Sequence, residues 1–154
     1  MQPRGMFFED FRVGMKLTTP ARTVTETDIV NFAGISGDFN EIHSNVEYAR
    51  TTDFGETIAH GPLIYAIAGG LQYASGINEG TLLALMQIDR WRMLSPVKAG
   101  DTIRMDMIVL GTRRSSKGDR GIVKLERQIV NQQDVTVQEM EATMLYRARP
   151  DAVA

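Results

Sequence analysis

Only two histidines occur in the chain, His43 and His60, and both fall in or beside one polar, irregular stretch. The first ends the segment Gly37-Asp38-Phe39-Asn40-Glu41-Ile42-His43, and the second lies in Ile58-Ala59-His60-Gly61-Pro62. Asp38 and His43 are five residues apart in a turn that contains Gly and Asn, so their side chains can converge on one water. A carboxylate beside an imidazole is a workable general acid–base couple near neutral pH. Surface loops are where such side chains concentrate. The plainer reading stays open: Asp38 caps a turn and His43 is an ordinary loop histidine, because short patterns recur by chance.

His60-Gly61 carries a second kind of chemistry. A helix starting at Pro62 aims its unpaired N–H groups and its partial positive charge at whatever lies before it. Gly61, lacking a side chain, lets a carbonyl oxygen approach its own N–H, which is the geometry of an oxyanion hole. The alternative is that His60-Gly61 only opens a helix. Asp38, His43 and His60 could also supply three ligands to zinc, with water as the fourth. Nothing resembling His-Glu-x-x-His is present, and this spacing is not diagnostic, so no metal is expected.

These residues must be held by recognisable elements. Thr25-Glu26-Thr27-Asp28 reads as a capping box ahead of Ile29, Val30, Phe32 and Ala33, so a first helix is predicted from Thr25 to near Gly34. A short helix is expected over Val46–Arg50. The next runs from Pro62 to about Ala74, with Pro at the first helical position. It is apolar or small nearly all round, which predicts burial on every side. Upstream, Leu17 to Val24 suits a strand, with Pro20 marking an edge or a bulge. After Gly80 come extended segments over Leu82–Met93, Thr102–Thr112, Ile122–Val130 and Val135–Tyr146. Ile103, Met105, Met107 and Val109 alternate at period two, with the methionines as core filler or pocket lining. Helices first and strands after, in blocks, predict an α+β domain with an antiparallel sheet. Arg90-Trp91-Arg92 would put two cations on one strand face opposite the indole, as edge decoration or dimer packing. Arg113, Arg114 and Lys117 read as a solvated basic turn.

The chain has 154 residues, 17 Lys+Arg and 19 Asp+Glu, for a formal net charge of −2. That length predicts a single domain over 1–154, with an ordered core over about 8–147 and short frayed tails. A near-neutral balance argues against nucleic acid. Zero cysteines exclude a disulfide scaffold and a thiolate nucleophile. No run approaches the roughly 18 apolar residues of a membrane span. Met1-Gln2-Pro3-Arg4-Gly5 lacks the apolar core of a signal peptide. A cytoplasmic location away from membranes is expected.

Phe32-Ala33, Gly37-Asp38-Phe39-Asn40-x-Ile42-His43, Ala49, Phe54-Gly55, Ile58-Ala59-His60-Gly61 and Pro96-Val97-x-x-Gly100-Asp101-Thr102 together resemble the MaoC-like dehydratase family. That family includes the (R)-specific enoyl-CoA hydratases, and the similarity runs from about Phe8 to Tyr146. The resemblance implies a hot-dog fold, a long central helix wrapped by a curved antiparallel sheet, in a homodimer or dimer of dimers. It implies Asp38 and His43 as the catalytic pair, with Asn40 and the Gly61 N–H as substrate-binding groups. It also implies reversible hydration of a trans-2-enoyl-CoA to the (3R)-hydroxyacyl thioester, with no cofactor beyond the substrate's own coenzyme A. Two positions depart from the pattern. Glu41 stands where the family has proline, and Gly69 stands where the hydratases carry a helix serine eight residues after the motif glycine. Loss of that serine beside Tyr65 and Tyr73 would widen the pocket for a branched or polar acyl chain. The rival readings are a hot-dog thioesterase, whose usual helix acid is missing between Pro62 and Ala74, and a non-catalytic acyl-thioester binder.

Overall fold

The computed structural model describes residues 4–150. Residues 1–3 and 151–154, where the leader expectation and most of the frayed tail fall, lie outside the described residues. A short 3-10 turn over Phe8–Asp10 precedes β1 (Lys16–Thr18) and β2 (Arg22–Thr23). Then come α1 (Glu26–Ser36), α2 (Glu41–Ser44), α3 (Val46–Arg50) and α4 (Gly61–Ala74). The chain ends in four long strands: β3 (Leu82–Met93), β4 (Thr102–Arg114), β5 (Arg120–Val130) and β6 (Thr136–Arg147). All pairings are antiparallel, in the order β1-β4-β5-β6-β3, with β2 also on β4. The predicted single strand over Leu17–Val24 is therefore two short ones divided around Pro20, which has no N–H for a ladder.

The inward faces of β4, β5 and β6 follow from their alternation. Met105, Met107, Val123, Leu125, Ile129, Met140, Ala142 and Met144 are buried and pack on Leu63, Ile64, Ile67, Ala68 and Leu71 of α4. The methionines of β4 are thus core. The expectation that α4 is buried all round needs correction: Pro62, Ala66, Gly69, Gly70, Tyr73 and Ala74 are exposed. The helix is apolar on a face that this one chain leaves uncovered. Near the C-terminus, Arg149 is tied down rather than frayed. Its backbone N–H donates to Glu9, its guanidinium donates to Asp10, and it lies 4.8 Å over the Phe7 ring. Arg114 likewise bonds Glu9 and the Gly118 carbonyl, so it anchors the β4–β5 turn.

The capping box of α1 forms, with Thr25 as N-cap and Asp28 as its third residue. Burial raises the Asp28 carboxyl, but hydrogen bonds from Thr25 and the Arg22 guanidinium outweigh this and hold it below the usual aspartate range. A depressed carboxylate stabilises the fold above the unfolded-state pKa and loses that contribution as pH falls through the folded value. Thr25→Ala should accordingly cost about 1 kcal/mol at neutral pH. The gap from wild type in urea midpoint should narrow in acid; a gap that does not depend on pH would contradict this account.

Candidate active site

The helix α1 ends later than its first glycine suggests. Gly34 lies inside it, and Gly37 terminates it in the left-handed region at φ 75°, donating to Ala33 O at 2.8 Å. That reversal throws the chain into the loop bearing Asp38. Asn40 N–H donates to Asp38 Oδ1 at 3.2 Å, while Asn40 Oδ1 accepts from Ile42 N at 3.3 Å as the N-cap of α2. Asn40 thus shapes the loop and orients Asp38. The single turn of α2 carries His43 in its last residues.

Each imidazole is fixed through a backbone carbonyl. His43 Nδ1 lies 2.7 Å from Ile58 O, and a carbonyl only accepts, so the proton sits on Nδ1 and the lone pair on Nε2. His60 Nε2 lies 2.9 Å from Asp38 O, which by the same argument leaves its buried Nδ1 as an acceptor without a partner. The two rings stack with centroids 3.7 Å apart, and Phe32 packs on the far one, His60, at 5.0 Å. His60 therefore clamps the Asp38 loop to the start of α4, a role its sequence position did not disclose.

Ligand atoms of Asp38, His43 and His60 all lie within 4.8 Å of one another. A water hydrogen-bonded at about 2.8 Å to two groups bridges gaps of this size. Zinc would need both imidazoles to present a nitrogen at about 2.0–2.1 Å from one point, and the two rings are stacked with 27° between their planes.

His43 and Gly61 line one cleft of about 320 Å³ together with Phe54, Ile58, Ile64, Met93 and Gln138. At the head of α4, Pro62 has no N–H and Ile64 N–H bonds His60 O at 3.3 Å. Gly61 and Leu63 are left as the helix's open donors. Gly69 is not part of this cleft. It lies eight residues along α4 from Gly61, about 12 Å, and a Cβ there would meet nothing within 4 Å. Within this chain a serine at that position could hold neither Asp38 nor His43, and Gly69 lies on the uncovered face of α4 rather than in this cleft.

Comparisons with known proteins bear on the family and the fold. A family model described as a MaoC like domain matches residues 10–132. Over 105 residues, 68% of this chain, the sequence is 38% identical to Protein MaoC of Klebsiella aerogenes, though that match spans only 31% of the Klebsiella protein. The (R)-specific enoyl-CoA hydratase of Rhodospirillum rubrum is 36% identical over 105 residues, 68% of this chain and 70% of that one. A Mycobacterium tuberculosis protein described as a double hotdog fold superposes with a TM-score of 0.86 at 19% identity, covering 98% of this chain and 47% of that one, and so bears on fold alone. The chain belongs to the MaoC-like dehydratase family and has its hot-dog fold.

Proposed function

We propose that the protein is a hydro-lyase that adds water reversibly across the 2,3 double bond of an acyl-CoA thioester, as an (R)-specific enoyl-CoA hydratase or 3-hydroxyacyl-CoA dehydratase. The observation that carries this is the meeting of Asp38 and His43 within 4.8 Å, with His43 and Gly61 lining one cleft. The His43 tautomer supports this division of roles. Nε2, with its lone pair, takes a proton from the water bracketed by His43 and Asp38 as the oxygen attacks C3. The π electrons move to C2 and the thioester, and the negative charge gathers on the thioester oxygen facing Gly61 N–H and the α4 N-terminus. The proton now on His43 is then delivered to C2, which completes the addition. The Asp38 carboxylate orients the water and offsets the imidazolium charge. The acyl carrier and the reaction belong to this proposal, as does a cytoplasmic setting; no helix among the described residues is long and apolar enough to cross a membrane.

Crotonyl-CoA with purified protein tests it. Loss of the conjugated enoyl absorbance without free thiol is expected. Thiol release would favour a thioesterase instead. Silence across short, long, branched and dicarboxylic enoyl thioesters would leave a non-catalytic thioester binder.

The same reading includes a homodimer. β3 is an edge strand twelve residues long whose Leu83, Leu85 and Met86 are exposed, and the uncovered small-residue face of α4 ends at exposed Tyr73. A long apolar edge is a pairing template unless something covers it, and a second copy joined edge to edge covers it. Sedimentation should give twice 17.1 kDa. Leu85→Lys/Met86→Lys should shift it to the monomer; a wild-type monomer would refute the dimer.

A further inference from the structure

The Arg90-Trp91-Arg92 segment is more than edge decoration. Between Asp89 and Arg92, β3 advances one residue more than β6, a bulge in which Arg90 takes φ 53°. A non-glycine residue in that region is uncommon, and bulges next to active sites re-aim side chains. Here the bulge changes the strand's parity, so Ile88 and Trp91, three residues apart, both pack on the core. Arg90 and Arg92 turn outward to Glu141 and Glu139. Trp91 packs against Tyr65 of α4 with centroids 5.3 Å apart.

The indole then reaches a buried amide. Trp91 Nε1 donates to Gln138 Oε1 at 3.0 Å, and Gln138 Nε2 donates to Gly61 O at 2.8 Å. An indole N–H can only donate, so it fixes which end of the Gln138 amide faces Gly61. Gln138 is 2% exposed, and its amide is held by these two partners. Gly61 needs such support. A glycine admits a carbonyl but is the loosest residue in the backbone. One peptide plane beside it follows His60, held through Asp38 O and the ring stack; the other is held by Gln138.

We infer that Trp91 and Gln138 are positioning residues that set the Gly61 N–H for the developing oxyanion. The inference rests on the hydratase reading for its reaction, but not for its geometry. Displacing a donor by about 1 Å is enough for a 10²-fold loss. Gln138→Leu should therefore lower kcat about 10- to 100-fold and Trp91→Phe about 10-fold, with KM within about threefold because ground-state contacts remain.

The deciding experiment adds a readout that needs no turnover. Acetoacetyl-CoA bound to each protein reports the oxyanion donor through its enolate absorbance band. Wild type should raise the enolate fraction, and both variants should lower it while keeping the wild-type circular dichroism spectrum. If wild type shows the band but hydrates no enoyl thioester, the hydratase reading falls and the positioning role stands. Enolate band and kcat both within twofold of wild type in the two folded variants would overturn it. A wild type that raises no enolate would overturn it as well.

Discussion

Asp38→Asn and His43→Gln should each lower kcat/KM for crotonyl-CoA by about 10²- to 10⁴-fold, the range contributed by a positioned acid–base group. The substitutions are chosen to leave the local structure in place. Asparagine keeps an oxygen for the Asn40 N–H, which donates to Asp38 Oδ1 at 3.2 Å, but gives up the charge. Glutamine at 43 retains a donor for Ile58 O, 2.7 Å from the native Nδ1, and loses the basic lone pair. Asp38 is exposed and His43 only half-buried, so neither change opens a core cavity. Melting temperatures should stay within a few degrees of wild type. A loss below about tenfold in either folded variant would remove that residue from the mechanism. If both act on one water, the double variant should be little worse than the worse single one, since groups working as a unit are not additive.

His60→Phe separates the clamp from the chemistry. It preserves a ring against His43 and Phe32 but removes the donor to Asp38 O. The loss should show in kcat with a lowered thermal midpoint, whereas the Asp38 and His43 variants lose activity alone.

How much of this was legible in the residues depends on the range of the interaction involved. β3 over Leu82–Met93 and α3 over Val46–Arg50 are read correctly from sequence because local composition and flanking turns decide them. The capping box is local too. Gly34 misleads because glycine costs a helix interior only about 1 kcal/mol, less than packing of Ile29 and Ala33 returns, so α1 continues to Ser36. The exposed face of α4 is hidden for another reason: an apolar helix looks the same whether its own chain or a second copy covers it. No local pattern marks a bulge at Arg90, a non-glycine residue with positive φ, so the sequence reads Trp91 only as edge decoration or dimer packing and gives Gln138 no role. Their bond joins strands 47 residues apart in the chain. From sequence His60 reads as a candidate ligand or as the opening of a helix, and its hold on Asp38 O depends on a carbonyl 22 residues away.

Gly61→Ala should cost about 10²-fold in kcat while leaving stability near wild type. In a helix, alanine is favoured over glycine by about 1 kcal/mol, and Gly61 is a helical residue with no positive φ, so the backbone accepts the change. Room is the issue. A Cβ at Gly61 would come to 2.8 Å from Met93 Cε and 3.2 Å from its Cγ, with Gln138 Nε2 at 3.7 Å. Both neighbours line the cleft, so the added methyl projects to the side from which the thioester oxygen approaches in the proposed mechanism. Met93 is half exposed and flexible, and it can swing away at little cost. The fold then survives while the approach to the N–H is blocked. Adding Met93→Ala tests this directly by removing the crowding and keeping the methyl. The double variant should remain as slow as Gly61→Ala alone; recovery of activity would mean that pressure on Met93, rather than access to the Gly61 N–H, had caused the loss.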